Sequence, residues 1–348
     1  MKKLIHIFIL LSVISISCNN KEPNENKDIK DSKEVNNIKD ENTPPKIHIN
    51  VGYLSEFAGA SAVAIAKEKG YFDEENLDVR LFKFFNGHAA IISMISGELD
   101  FAYIGHATHN LIIDGQAQIL IPNVISKSEK IMTAKWANIN SIEDLKGKTV
   151  ATHFGTSGEA MLYIALKNAK LSSKDINLIN ANITNLANLL TNKKVDAIST
   201  CEPYTSEVFT AIPNDYKILT NITHYSNDII LTSSFAATSN FIQNNPETAR
   251  KFTRAILKAM DYRKDNLYET VTLVSKLTDN DIETIKTEID SGIWLTSSDL
   301  KEAYKSGELF KWYEKQQKIF LYSDLIKNDV PVTNYIEIGI LTNVLNTL

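Results

Sequence analysis

The sequence has 348 residues, enough for two domains that each bury a hydrophobic core. Its 42 acidic residues outnumber its 37 basic ones and leave a net charge of −5. This balance argues against a nucleic-acid-binding protein, because neutralising phosphates needs an excess of Lys and Arg. The only two cysteines, Cys18 and Cys201, imply no disulfide framework, so a core must supply the stability.

The N-terminal segment, residues 1–18, has the pattern of a secretion signal. A positively charged start precedes an apolar run at 4–16 that is too short to span a bilayer. Cys18 follows small residues, which resembles a bacterial lipoprotein signal whose new N-terminal cysteine carries lipid, although Ser15 stands where that signal usually has Leu. The alternative is an ordinary signal peptide with an incidental cysteine. Both interpretations place the mature protein outside the cytoplasm.

Residues 19–46 consist mostly of Asn, Lys, Asp and Glu and contain almost nothing to bury. Such a segment cannot offset the entropy lost on ordering, so we predict a disordered tether between Cys18 and the folded body. Its charges are mixed in sign, which favours a solvated spacer over a binding patch.

The folded body alternates strands with helices. In chain order we predict a strand at 47–53, a helix at 60–69 before Gly70, a strand at 77–84, a helix at 89–96 and a strand at 99–104. The same order recurs, with strands at 148–153, 176–181 and 195–200, a helix after the first of these and another at 185–191. This alternation predicts βαβ units and parallel sheets.

The recurrence has a constant spacing. Asp196 follows Asp100 by 96 positions, and Glu202 follows His106 by the same number. We therefore predict an α/β protein with two similar lobes: lobe one at 47–132, lobe two at 133–231, and a return to lobe one with C-terminal helices at 232–348. Because ligands bind outside the carboxyl ends of such strands, a cleft between the lobes is the expected site.

Five runs along about residues 47–265 carry a resemblance to a known family: KGYFDEENLDV, MISGELDFAYIGHA, INSIEDLKGKTVATHFGTSGEAMLYIALKNA, KKVDAISTCEPY and FIQNNPETARKF. On these runs the chain resembles the aliphatic-sulfonate/nitrate/taurine-binding family of ABC-importer proteins, which includes relatives that bind thiamine pyrimidines.

The resemblance implies a two-lobed periplasmic-binding-protein fold and a solute-binding function without a cofactor. We expect a monomeric, extracytoplasmic lipoprotein that captures an aliphatic sulfonate or taurine-like solute and delivers it to a permease and its ATPase. A thiamine-pyrimidine precursor or another heterocycle is the alternative solute. Two other classes stay open: an enzyme like pyrimidine synthases, whose cysteine-rich motif is missing here, and a sensory lipoprotein.

Candidate ligand contacts lie at the predicted strand ends and in the loop that enters the first helix of lobe two. They are Tyr53, Ser55, Phe57, Asn86, Gly105, His106, Phe154, Gly155, Thr156, Ser157, Glu202 and Tyr204. The free N–H groups where a helix starts at Gly155–Ser157 attract an anion, and in the resembled family this loop contacts the acidic group of the ligand. A capping box between Thr156 and Glu159 is the structural alternative.

Glu202 and His106 occupy equivalent strand ends in the two lobes. The carboxylate of Glu202 can hold a ligand ammonium or ring N–H, or it can accept backbone N–H groups of its own loop. His106 can donate to a ligand oxygen or be a satisfied polar group. A three-His metal site of His106, His109 and His153 is a disfavoured alternative, because no His pair here has metal-ligand spacing. We interpret Cys201 as a small buried residue beside the cleft.

The lipid anchor gives a first prediction. Replacing Cys18 with Ala should release the protein from membranes into the soluble extracytoplasmic fraction, because the thiol that would carry the lipid is gone. Fractionation followed by immunoblotting measures this. Continued membrane association of a correctly cleaved variant would refute the assignment.

Overall fold

The computed structural model describes residues 44–348, in which two β-sheets are covered by helices. The predicted signal segment, Cys18 and nearly all of the predicted tether lie outside the described residues. The strands are β1 (Ile47–Leu54), β2 (Leu77–Phe84), β3 (Phe101–Ile104), β4 (Gln118–Ser126), β5 (Lys130–Ala134), β6 (Thr149–Thr152), β7 (Asn177–Asn180), β8 (Ala197–Thr200), β9 (Tyr216–Asn221), β10 (Thr232–Ala237) and β11 (Gly292–Trp294).

The helices of the described residues are α1 (Phe57–Glu68), α2 (Tyr71–Glu74), α3 (Gly87–Ile95), α4 (His109–Ile113), α5 (Ser157–Asn168), α6 (Leu186–Thr191), α7 (Tyr204–Ala211), α8 (Ser239–Asn244), α9 (Pro246–Asp265), α10 (Leu267–Thr278), α11 (Ile282–Lys286), α12 (Ser297–Ser306), α13 (Glu308–Tyr322) and α14 (Ile338–Leu345). None of the helices within 44–348 is long and apolar enough to cross a bilayer.

Each sheet contains the parallel unit that the sequence predicts. The first sheet has the strand order β2-β1-β3-β10-β4-β11, with β1 parallel to β2 and β3. The second has the order β7-β6-β8-β5-β9, with β6 parallel to β7 and β8. The remaining pairings are antiparallel. Both sheets are therefore mixed.

The antiparallel pairings follow from how the chain passes between the sheets. It leaves the first sheet through 127–129 to enter β5, and it returns through 222–231 to enter β10. Each arriving strand lies beside the third strand of the parallel unit, β5 against β8 and β10 against β3, and runs in the opposite direction. Two short connections thus join the two sheets.

The 96-residue spacing corresponds to a repeated hydrogen bond. A carboxylate oxygen of Asp100 accepts the N–H of Asn50 at 2.7 Å, and one of Asp196 accepts the N–H of Thr149 at 2.8 Å. Each aspartate immediately precedes the third parallel strand of its sheet and fixes it to the first. The two parallel units therefore present their carboxyl strand ends in equivalent ways.

Helix α9 shows how the C-terminal part covers the first sheet. Pro246 occupies its first turn, where a missing N–H costs nothing. Phe252, Ile256 and Met260 recur at helical spacing and are fully buried. Phe252 stacks on Phe101 of β3 with ring centroids 4.0 Å apart.

One C-terminal helix contacts the cores of both sheets. In α13, Phe320 packs in the core of the first sheet, whereas its neighbour Ile319 packs in a core of the second sheet. Lys315 of the same helix donates to the backbone oxygen of Ser226, in the connection that returns to the first sheet. The C-terminal helices therefore do not cover the first sheet alone.

Candidate functional site

The loop between β6 and α5 starts the helix without a side-chain cap. Gly155 has a φ of 76°, a left-handed conformation that favours glycine, and its N–H donates to a carboxylate oxygen of Glu159 at 2.7 Å. The Thr156 hydroxyl donates to the backbone oxygen of His153 at 2.6 Å and caps no N–H. The capping box is not formed, so the Thr156 side chain leaves the N–H groups of the first turn of α5 free for another acceptor.

Close packing fixes this helix start on β8. A Cβ atom added to Gly158 would lie 2.6 Å from the backbone oxygen of Ser199, so only glycine fits there. The Ser199 hydroxyl donates to the Gly158 backbone oxygen at 2.6 Å. The start of α5 is consequently held beside the end of β8.

Glu202, after β8, already has partners. Its carboxylate accepts from Lys130 Nζ at 3.1 Å and from the hydroxyl and N–H of Ser206 at 2.7 and 3.1 Å. Lys130 also donates to the backbone oxygen of Ser128 at 3.3 Å. These contacts agree with the structural alternative, in which Glu202 shapes its own loop.

Two further carboxylates are withdrawn from solvent near this strand end. Glu129, in the connection between β4 and β5, is 2% exposed and accepts from the Ser126 hydroxyl at 2.7 Å and from the Ser157 hydroxyl. Burial raises its pKa. Glu288, between α11 and β11, is 3% exposed and accepts the N–H of Phe57 at 2.9 Å.

Burial also changes the protonation of the two carboxyls on the side of the first sheet. It raises the pKa of Glu56 to about 7 and that of Glu288 to about 8. The negative charges of Glu56 and Glu202 raise the pKa of Glu288 further, and its bond from the Phe57 N–H acts in the opposite direction. Both carboxyls are thus partly protonated near neutral pH.

The thiol of Cys201 lies where these groups meet. Burial raises its pKa, and so do the charges of Glu129, Glu56 and Glu288. Tyr204 has a raised pKa for the same main reason, burial, with smaller effects of Cys201 and Glu56. Residues from the first sheet, from the connection and from the end of β8 are therefore close enough to act on the Cys201 thiol, and we call the space among them the carboxylate cleft.

His106 begins a 3-10 turn, His106–Thr108, that contacts α5. Its side chain is buried, and its Nε2 has no hydrogen-bond partner among the described residues. Burial lowers its pKa to about 3, so the ring is neutral. Its backbone oxygen accepts from Gln316 Nε2 at 3.1 Å and lies 2.8 Å from His109 Nδ1, which must donate there. Gly105 immediately precedes this turn.

Several other predicted contacts have structural roles. Tyr53 is buried and donates to the backbone oxygen of Leu277 at 3.2 Å. Phe57 is fully buried against Trp294. Asn86 is exposed and caps α3 through the N–H of Ala89. Their side chains thus have partners within the protein.

Two predicted residues at the strand ends remain available. Phe154 is 41% exposed at the start of the α5 loop. Ser55 is partly exposed, and its backbone oxygen accepts from the amide of Asn280 at 2.7 Å. The structure thus brings Ser157 and Tyr204 to the carboxylate cleft, and it leaves Phe154 and Ser55 at the ends of β6 and β1.

Sequence reasoning missed Glu129, Lys130 and Glu288. The first two lie in the connection and at the start of β5, and a Glu-Lys pair beside a crossing point could have drawn attention to them. Glu288 carried no such signal, because its partner Phe57 lies 231 positions away. Within 44–348, no group of three His, Cys, Asp or Glu side chains is arranged to hold a metal ion.

Comparison with known proteins gives consistent results. A family model described as "NMT1/THI5 like" matches residues 59–266. A Brucella abortus protein named "Putative binding protein" is 27% identical over 289 residues, which are 83% of this chain and 90% of the relative. A "Putative aliphatic sulfonates-binding protein" of Bacillus subtilis is 28% identical over 65% of this chain and 69% of its own length.

Among solved structures, the periplasmic aliphatic sulphonate binding protein of Escherichia coli aligns with a TM-score of 0.67 at 17% identity. The alignment covers 84% of this chain and 92% of the other. This similarity confirms the expected fold, the periplasmic-binding-protein fold.

The raised pKa of Glu288 gives a second prediction. Between its ordinary pKa and about 8, the folded protein holds a proton on Glu288 that the unfolded chain has lost, so the free energy of unfolding falls as pH rises. Glu288→Gln should reduce this fall between pH 5 and 8 by up to about 1.4 kcal/mol per pH unit.

Urea unfolding at a series of pH values measures the effect, with the exposed Glu283→Gln as the matched control. Glu56, Glu129 and Glu202 remain in both variants. A pH dependence in Glu288→Gln equal to that of the wild type would contradict the assignment.

Proposed function

The chain belongs to the NMT1/THI5-like family, and on this premise we propose that it is an extracytoplasmic solute-binding protein that delivers a small organic solute to an ABC importer. The observation that carries the proposal is the carboxylate cleft, to which both sheets and one connection contribute. A site shared between two sheets suits capture and release, because a ligand that contacts both sides favours their closure. The relatives quoted above carry names of binding proteins, which favours binding over catalysis.

The proposal includes how the protein is held and how it moves. Lipid on Cys18 anchors a monomer to a membrane, and residues 19–46 let it reach the permease and its ATPase. The predicted lobes are 47–132 with 232–348, and 133–231. Because β5 begins at Lys130 in the second sheet, the proposed hinge lies in the connections at 127–129 and 222–231. This proposal is supported by the presence of two sheets and by the two connections, which are where the chain passes from one sheet to the other.

The charges in the cleft indicate what the solute must carry. Lys130 is the one basic side chain that contacts the cleft carboxylates within the described residues, and it is paired with Glu202. An anion without a positive group would meet Glu56, Glu129 and Glu288 with no cation to offset them. A protonated nitrogen, in contrast, satisfies carboxylates through charge-assisted hydrogen bonds.

A taurine-like zwitterion fits this arrangement among the aliphatic sulfonates. Its ammonium group would lie against Glu56 and Glu288, and its sulfonate would accept the N–H groups at the start of α5, which Thr156 leaves uncapped. His106 Nε2, which is buried and has no partner within 44–348, would hydrogen-bond another polar group of the solute. The sulfonate-binding relative and the E. coli structure support this class.

A thiamine-pyrimidine precursor is the second candidate. A carboxyl with a pKa near 8, such as Glu288, is largely protonated at neutral pH and can donate to a ring nitrogen. A neighbouring ionised carboxylate can then accept from an exocyclic amino group. Tyr204 supplies an aromatic side chain in the same volume.

The proposal predicts that affinity depends on a nitrogen in the solute. In titration calorimetry, wild-type protein should bind taurine or 4-amino-5-hydroxymethyl-2-methylpyrimidine. It should bind the matched compounds in which a hydroxyl replaces the amino group far more weakly. Glu56→Gln should cost the nitrogen compound about 2–5 kcal/mol, because it removes one partner of a buried charge-assisted bond.

The control is Glu68→Gln at the exposed C-terminal end of α1, the helix that Glu56 precedes. The Glu68 side chain pairs there with Lys276. It should leave affinity unchanged. Equal binding of the amino and hydroxyl compounds, or equal losses in both variants, would contradict the proposed recognition of nitrogen.

A further inference from the structure

Arg263 is a fully buried cation whose hydrogen bonds all go to neutral groups. Its Nη1 donates to the Ser61 hydroxyl at 2.9 Å and to the Asn123 side-chain oxygen at 3.0 Å. Its Nη2 donates to the backbone oxygens of Asn123 at 3.1 Å and Leu295 at 3.5 Å. Nε has no partner, and no carboxylate of the described residues forms a salt bridge with the guanidinium.

Stability alone does not explain this residue. A buried charge without an opposite charge is costly, and an apolar side chain of similar volume is often as stabilising or more so. Arg263 also continues the apolar face of α9 that Phe252, Ile256 and Met260 form, where another apolar residue would fit the pattern. The role of Arg263 therefore depends on which segments its hydrogen bonds hold in place.

The first set of contacts leads to the start of α1. Ser61 lies one turn after Phe57 in this helix. Asn123, which Arg263 binds through both side chain and backbone, donates its own amide to the backbone oxygen of Ala58 at 2.9 Å. The guanidinium thus holds the first two turns of α1, directly and through one partner. Glu56 immediately precedes this helix start, and its charge acts on the Cys201 thiol.

The second set leads to the segment that carries Glu288. The guanidinium carbon lies 5.0 Å from the ring centroid of Trp294, a cation–π distance. The Trp294 ring meets Phe57 edge to face at 4.9 Å, and its N–H donates to the backbone oxygen of Ile289 at 2.7 Å. Glu288 in turn accepts the Phe57 N–H, which closes a ring of contacts. We call Phe57, Glu288 and Trp294 the first-sheet wall.

We propose that Arg263 is a positioning residue for solute binding, which holds the start of α1 and the first-sheet wall so that Glu56 and Glu288 face the cleft. The inference rests on the proposed function, since it assigns the wall to that binding site. The planar fork of Arg can bind Asn123, Ser61 and Leu295 at once while its face stacks on Trp294. Lysine has neither the fork nor the flat face, and methionine has no donor at all.

The test compares Arg263→Lys and Arg263→Met with Met260→Ala, a cavity variant one turn earlier on the same buried face. Hydrogen exchange of the peptide covering 55–62 reports on the wall, including the Phe57 N–H. Acrylamide quenching reports on Trp294 in a background where Trp136 and Trp312 are replaced by Phe. Neither measurement needs a ligand. If Arg263→Met does not fold, Arg263→Lys is compared with Met260→Ala in its place.

At a urea concentration that equalises global stability, the Arg263 variants should exchange this peptide roughly tenfold faster than Met260→Ala and quench more readily. They should also bind taurine, or the aminopyrimidine, about tenfold more weakly than Met260→Ala does. Equal exchange and quenching in all three variants would overturn the proposal. If the wild type binds neither compound, the proposed solute class fails, and exchange still decides whether Arg263 holds the wall.

Discussion

The site depends on one electrostatic constraint: carboxyl groups from both sheets are buried around Cys201 with too few cations to balance them. Glu129 and Glu288 are nearly inaccessible, and the half-buried Glu202 is paired with Lys130. Charges withdrawn from water must be paired, hydrogen-bonded or neutralised by a proton. The chain uses all three solutions, and the raised pKa values of Glu56 and Glu288 are the third.

The architecture follows from bringing these groups together. Carboxyl ends of the two parallel units carry the loops, and the short connection at 127–129 places Glu129 and Lys130 between the sheets. The repeated bond of Asp100 and Asp196 fixes each third strand to its first. Distant parts of the chain meet at the candidate site, since Glu288 accepts the N–H of Phe57, 231 positions away.

Much of the fold could be predicted because its signals are local. The periodicity of apolar residues, the turn residues and the 96-residue spacing predict the parallel strands, their helices and the strand-end loops. Which strands run antiparallel depends on how the chain returns from the other sheet, and no local pattern carries that. No local pattern predicts which group a hydroxyl bonds either, as the Thr156 hydroxyl shows. Lys130 and Glu202 are 72 positions apart, and only the folded chain makes them neighbours.

Proton release on binding tests the central claim, that the cleft recognises a positively charged nitrogen with carboxyl groups it keeps partly protonated. Taurine would be titrated at pH 7 in two buffers of different ionisation enthalpy. A cation beside Glu56 and Glu288 lowers their pKa values from about 7 and 8, so binding should release protons to the buffer. Binding with no proton exchange, or with uptake, would contradict the account.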